Sequence, residues 1–316
     1  MTKLKGILLT QGMHGMISQV EGLAKALDLD FTHHTVETNK FWKLFPPKLT
    51  PISQSVFKKI NSEDFDVIIS CGRKSVIPSI YLKKNPSKKV TNIHIQDPKV
   101  NLDNFSYIIA PEHDGLNGEN VFSTKGAIHY LTKEEISNHT NYLKDRLDIG
   151  KEYFLLILGG PTKHYDYSDE NVSNIFNLFN DLVNKNNLQG IIVPSMRTPK
   201  NIIEFAKNSL GEKNLVIDTV DKKAYLSALS LAKYITVTCD STSMISEAAL
   251  TGKPIYVADI PAKKNDHRIK KFKELFTKLN IIKKLDNRLE TWHYEILDET
   301  NRIAKEIKKQ LTKCHF

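Results

Sequence analysis

The sequence predicts an α/β protein made of two doubly wound halves, each with a parallel sheet. Short apolar runs of four to six residues recur along the 316-residue chain, helix-period segments separate them, and the pattern stops and restarts near the middle. At roughly 100 to 200 residues per domain, the length accommodates two domains, with a binding cleft expected between them.

The first half opens on the strand KGILLT. MISQVEGLAKALD follows, with Ile17, Val20, Leu23, Ala24 and Leu27 at three-to-four spacing, which predicts a helix with one apolar face. FTHHTV, DVIIS, TNIHI and SYIIA continue the strands, and strand-helix-strand at this length implies a parallel crossover. A charged helix is expected over Lys133 to Arg146, and DIGK, near Leu147 to Lys151, marks a hinge. Domains are therefore expected at residues 1–148 and 149–295. The second half repeats the scheme: YFLLILGG, a polar helix from Asn171 to Asn184, GIIVPS, NLVIDTV, a helix around AYLSALSLA, YITVT, another helix and PIYVAD. Amphipathic helices over Arg268 to Leu279 and Asn301 to Leu311 close the chain.

Composition narrows the function classes. The chain is 40% hydrophobic and 26% charged, without an apolar run near the ~20 residues that span a bilayer. MTKLKGILLT is too short for a signal sequence and reads as a first strand. Cys71, Cys239 and Cys314 are odd in number and lack CxxC spacing, which argues against a disulfide framework or a zinc site. A cytoplasmic protein is expected, either free or at the inner face of a membrane, with no metal. Formal net charge is +9, and residues 261–316 hold 15 Lys/Arg against 8 Asp/Glu. Such an excess suits a nucleotide phosphate, an anionic lipid surface or nucleic acid, and equally a solvated helix face.

Ligands of open α/β sheets bind beyond the carboxyl ends of strands, so the residues following each apolar run carry the chemistry. After YFLLIL come Gly159 and Gly160, expected to let backbone N–H groups approach a phosphate, though a plain strand-to-loop bend also explains them. After GIIVP comes Arg197, a permanently charged fork suited to a pyrophosphate or to a neighbouring acid. After YITVT, Asp240, Ser241, Thr242 and Ser243 stand where a helix begins, so hydroxyls and free amides would face an anion there. One of them suffices as an N-cap. Glu247 lies where a carboxylate can accept from both hydroxyls of a ribose, or can stabilise the helix dipole. No G-x-G-x-x-G, P-loop or H-E-x-x-H is present, and DLD (28–30) and DFD (64–66) read as turns.

Strand ends of the first half supply Gln11, Gly12, His14 and Gly15, then Cys71, Gly72 and Arg73, then Gln96, Asp97 and Pro98, and finally Pro111, His113 and Asp114. His14, Asp97 and His113 are candidate general bases for an acceptor hydroxyl, with Gly12, Gly15, Gly72 and Arg73 on the acceptor side. Structural hydrogen bonds are the alternative for each. NKFWKLFPPK (39–48) interleaves aromatics with lysines, a composition that suits a lipid interface or a cap over the first domain.

The blocks ISCGRKS, HIQDP, IIAPEHD, LGGPTKHY, PSMRTP, VTCDSTSMISEAALTGKPIYV and LETWHYEILDETNRIA, in this order, resemble the mitochondrial-fission family, the elongated-mitochondria protein of plants and its bacterial relatives. The resemblance runs from about Leu4 to about Ile307. It implies a GT-B-like fold, with two facing Rossmann-like domains, and crossover helices at residues 296–316 packing back on the first domain. SMISEAALTGKP is also similar to the donor-site segment of the peptidoglycan lipid-intermediate transferase, which places Glu247 on the ribose of a UDP-sugar. Two departures stand out: QGMHG replaces an Asp-Gly-Lys-Pro-Gly loop, and SMRTP replaces Ser-Arg-Arg-Thr-Pro, leaving Arg197 to do what two arginines do elsewhere.

These observations lead to the expectation of a metal-independent glycosyltransferase. A nucleotide-sugar is its co-substrate, no other cofactor is needed, and the acceptor is lipid-linked, glycan or another envelope component. The alternative is a non-catalytic adaptor on the same fold, acting peripherally at a membrane surface. Nucleic acid is not expected as a partner, because the basic excess lacks a recognised module.

Overall fold

Strands form where valine, isoleucine and leucine run together, because a strand buried on both faces of a parallel sheet has no polar side. The computed structural model describes residues 3–60, 64–84 and 89–315, and the chain divides into two units, residues 1–130 with 298–316 and residues 131–297.

In the first unit β1 (Lys5–Thr10), β2 (Asp30–Thr35), β3 (Val67–Cys71), β4 (Thr91–Ile95), β5 (Tyr107–Pro111) and β6 (Val121–Thr124) form one parallel sheet in the order β2-β1-β3-β4-β5-β6. β6 is an edge strand too short and too polar to announce itself in sequence. The two faces of β1 enter separate cores: Leu8 joins Val20, Leu23 and Ala24 of α1 (His14–Ala26), and Ile7 and Leu9 join Ile77 of α2 (Val76–Lys84). Ile303, Ala304, Ile307 and Leu311 of the C-terminal helix (Glu299–His315) complete the α1 side. Backbone from residues 129–130 crosses α1 at Gly22, where an added Cβ would lie 2.4 Å from the His129 carbonyl oxygen. The Thr300 hydroxyl locks this crossing, accepting from the His129 N–H at 3.0 Å and donating to its carbonyl at 2.9 Å.

The second unit contains α3 (Lys133–Asn138), β7 (Tyr153–Leu158), α4 (Asp169–Lys185), β8 (Gln189–Pro194), α5 (Lys200–Leu210), β9 (Leu215–Val216), α6 (Lys222–Leu231), β10 (Ala232–Thr238), α7 (Thr242–Ala249), β11 (Ile255–Ala258), α8 (His267–Lys278) and β12 (Ile282–Lys284), before the C-terminal helix, α9. Its parallel sheet has the order β12-β11-β10-β7-β8-β9. The register pairs Leu158 with Pro194, Ile157 with Val237 and Thr238 with Ala258, so the segments after β7, β8, β10 and β11 leave the sheet at one level.

The boundary differs from the expected one near residue 148, for an identifiable reason. The expected helix over 133–146 is α3 followed by a 3-10 segment, Thr140–Arg146, and both are tied to α6. Leu143 is buried, its N–H donates to Ser227 Oγ at 3.1 Å, and Tyr142 OH donates to Asp221 at 2.8 Å. These bonds move residues 131–148 into the second unit; at the other end the division falls at 297/298 against the expected 295/296.

Candidate functional site

The second sheet reverses its winding between β7 and β10, and doubly wound sheets take ligands in the crevice beyond the strand ends at such a point. Gly159-Gly160 follows β7, Ser195 to Thr198 follows β8, and Asp240 to Ser243 follows β10. The Asp240 side chain is fully buried at the hub of these loops. Its carboxylate accepts from Arg197 Nη2 at 2.7 Å, Thr238 Oγ1 at 2.7 Å, Tyr167 OH at 2.5 Å and the Gly160 N–H at 3.3 Å. A buried carboxylate is tolerable only with pairing of this kind. Burial, and then the Asp240 charge, push the Tyr167 hydroxyl far above its usual range, so it stays protonated and donates. Thr198 Oγ1 ties the β8 loop to the β7 loop through the carbonyls of Leu158 and Gly159, at 2.9 and 2.6 Å.

This network corrects the expected roles of three residues. Gly159 donates its N–H to Thr238 Oγ1 at 2.8 Å and Gly160 donates to Asp240, so these amides are consumed within the protein and do not line a phosphate site. Both positions exclude a side chain for packing reasons, since an added Cβ would lie 2.2 Å from Asp240 Oδ2 at Gly159 and 2.0 Å from the Arg197 carbonyl oxygen at Gly160. Asp240 likewise is a support, fixing Arg197 in place. Arg197 also donates from Nη1 to the Gly160 carbonyl at 3.1 Å, and its side chain remains 39% exposed. One edge of the guanidinium is held and the other is open, which preorganises it for an anion.

Helix α7 presents what remains. Ser241 is the N-cap, its Oγ accepting from the Met244 N–H at 3.4 Å. The Thr242 and Ser243 hydroxyls, half-buried at the helix start, make no hydrogen bond to the protein among the described residues. Ser243 and Glu247 are four apart and so lie on one helix face. Glu247 is half-buried and accepts from Tyr225 OH at 2.8 Å; desolvation raises its pKa to about 7 against the opposing pull of that bond. Lys253, at the end of the same motif, points elsewhere and caps α6, donating to the carbonyls of Leu229 and Ser230 at 2.8 and 2.5 Å. Sequence reasoning missed Tyr167, Thr198 and Tyr225, since nothing local marks a residue whose partners come from other elements.

The first sheet has its own reversal between β1 and β3, flanked by Gln11-Gly12 and Gly72-Arg73. Gly12 and Gly72 adopt φ of 80° and 90°, and a Cβ on Gly72 would lie 2.5 Å from Gln11 Nε2. His14 and Gly15 are exposed in the first turn of α1, with the His14 ring edge-on to Tyr130 at 6.3 Å. Arg73 Nη2 donates to the carbonyls of Phe45 and Lys43 at 2.7 and 3.3 Å. Two expected bases are corrected. Asp97 builds a turn, accepting from the Lys99 N–H at 2.8 Å and its Nζ at 2.5 Å; burial works against its ionised form, but the Lys99 bonds prevail and hold the carboxyl below its usual range, the wrong direction for a base near neutrality. His113 is buried, with Nε2 3.7 Å from Asp114, and does not face solvent. Of the three, His14 alone is exposed. Among the described residues no cluster of three or more His, Cys, Asp or Glu is placed to hold a metal ion, and no helix is long and apolar enough to cross a membrane.

A family model described as Mitochondrial fission ELM1 matches residues 14–311. The "Mitochondrial fission protein ELM1" of Arabidopsis thaliana is 23% identical over 278 residues, covering 78% of this chain and 64% of the plant protein. Among solved structures, UDP-GlcNAc 2-epimerase of Methanocaldococcus jannaschii in complex with UDP-GlcNAc and UDP superposes with a TM-score of 0.51 at 16% identity, over 98% of this chain and 99% of that one. The glycosyltransferase SnogD of Streptomyces nogalater gives 0.51 at 12% identity, over 98% and 95%. At these identities the likeness is one of fold, the GT-B type.

Proposed function

The chain belongs to the mitochondrial fission ELM1 family, and from that premise and the β7/β10 crevice we propose that its second unit binds a nucleotide-sugar and that the protein is a glycosyltransferase. One observation carries the reading: Thr242 and Ser243 offer hydroxyls without partners among the described residues at a helix N-terminus, on the strands' carboxyl side and in the unit that also presents the clamped, half-open Arg197. In this reading those groups hold the diphosphate, whose charge grows as it leaves, by preorganised electrostatics and without a metal. Glu247 accepts from the ribose hydroxyls. A lipid-linked or other envelope acceptor forms its oxygen–carbon bond at the anomeric centre as the bond from that carbon to the diphosphate oxygen breaks; the electron pair leaves with the nucleotide and the acceptor proton passes to a general base.

A thermal-shift panel of UDP-, GDP-, ADP- and CMP-sugars tests this, with UDP-sugars first because the similar epimerase binds UDP-GlcNAc. Ligand at ~100-fold its Kd stabilises by about 2.7 kcal/mol, roughly 5–10 °C for a unit of this size. Glu247→Gln should then weaken binding by roughly 10- to 100-fold, the worth of a hydrogen bond to a charged group. Silence across the panel favours the second reading, a non-catalytic adaptor, which the name of the plant relative supports.

A further inference from the structure

The first unit contains a cavity of about 130 Å³ at its β1/β3 reversal. Gln11 reaches it from the end of β1, Arg73 and Lys74 from the end of β3, and Lys43 from the aromatic segment, while no acid is among the described residues that line it. Thr38 lines the same cavity through other atoms, its Oγ1 being closed off from solvent and without a hydrogen-bond partner among the described residues. Both bonds of Arg73 to the segment use Nη2, leaving Nη1 and Nε without protein partners among the described residues. At ~30 Å³ per water the space holds roughly four waters, enough for one tetrahedral anion. Cations with open N–H groups, and no acid among the described lining residues, are the donor set for phosphate oxygens.

The mouth of this cavity adjoins a second feature. Phe41, Leu44 and Leu49 are 63%, 83% and 65% exposed, within a segment that also carries Lys40, Lys43 and Lys48. Within that segment Phe41, Trp42 and Phe45 pack edge-on or tilted against one another with ring centroids 4.9 to 5.6 Å apart, and Arg73 holds the carbonyls of Lys43 and Phe45. Large apolar side chains exposed along a lysine-bearing segment match the chemistry of a lipid headgroup region.

We propose that this face seats an anionic membrane amphiphile, its phosphorylated headgroup against Lys43, Arg73 and Lys74 and its acyl boundary against Phe41, Leu44 and Leu49. The proposal deepens the reading above by giving the acceptor side a chemical class. It rests on first-unit residues alone, so vesicle binding and nucleotide binding can fail separately. Flotation of the full chain with phosphatidylcholine vesicles, with and without phosphatidylglycerol, is the test. The expected result is partitioning to the anionic vesicles only. Lys43→Gln with Lys74→Gln should weaken it about 30-fold, two cations at about 1 kcal/mol each. Leu44→Glu, at an exposed position where folding is not at stake, should abolish flotation. Equal binding to neutral vesicles, no binding to either, or full retention by Leu44→Glu would each overturn the proposal. So would a thermal shift with sn-glycerol phosphate in the absence of any flotation, which would make the cavity a site for a soluble phosphate.

Discussion

Replacing Asp240 by asparagine tests the hub on which the crevice depends. The shape is kept, but the charge facing Arg197 is lost, and one of two acceptor oxygens becomes an NH2. Arg197 Nη2 and the Gly160 N–H both use Oδ2, at 2.7 and 3.3 Å, while Tyr167 and Thr238 use Oδ1. The amide can turn its oxygen to Arg197 and Gly160 and its NH2 to the Tyr167 and Thr238 hydroxyls, which can accept, so the loss is chiefly that of the charge paired with Arg197. Removing one partner of a buried pair costs about 3–5 kcal/mol. Arg197 is 39% exposed and can rehydrate part of its charge, so the cost should fall near 2–4 kcal/mol. For a unit spanning residues 131–297, at about 2–4 °C per kcal/mol, the melting temperature of this unit should drop by roughly 5–15 °C. Calorimetry of the full chain measures it. A drop of less than ~2 °C would mean that Asp240 is not the organising group, and the argument that Arg197 is preorganised would fail with it.

Other consequences follow from the same geometry. Glu247 has a folded pKa near 7 against 4.5 ordinarily, so the folded state retains a proton that the unfolded chain has lost between those values, and stability should decline as pH rises through that window. Because the side chain is half-buried the loss should be about 1 kcal/mol, and urea titrations of Glu247→Gln should lack it. Nucleotide affinity should run the opposite way, rising with pH through 7 as the carboxylate forms, and calorimetry should find Glu247→Gln insensitive to pH over that range. Gly160→Ala places a methyl 2.0 Å from a backbone oxygen that cannot rotate away, and should cost at least ~2 kcal/mol in urea denaturation together with any nucleotide-induced thermal shift.

Much of this protein is written locally. The strands KGILLT, DVIIS, YFLLIL and YITVT, and the apolar face of α1, follow from periodicity alone, since burial on both sides or on one stripe leaves its mark residue by residue. Local too is the surplus of hydroxyls at Ser241 to Ser243: a cap takes one, and the structure leaves the others without partners among the described residues. By contrast, the division at residue 130, the support role of Asp240 and the two glycines, and the turn made by Asp97 were decided by tertiary structure. The bonds to Asp240 span 80 residues from Gly160, 73 from Tyr167 and 43 from Arg197. At such separations a carboxylate after a strand reads the same whether it meets a ligand or a buried arginine, because only the folded chain brings the competing partner within reach.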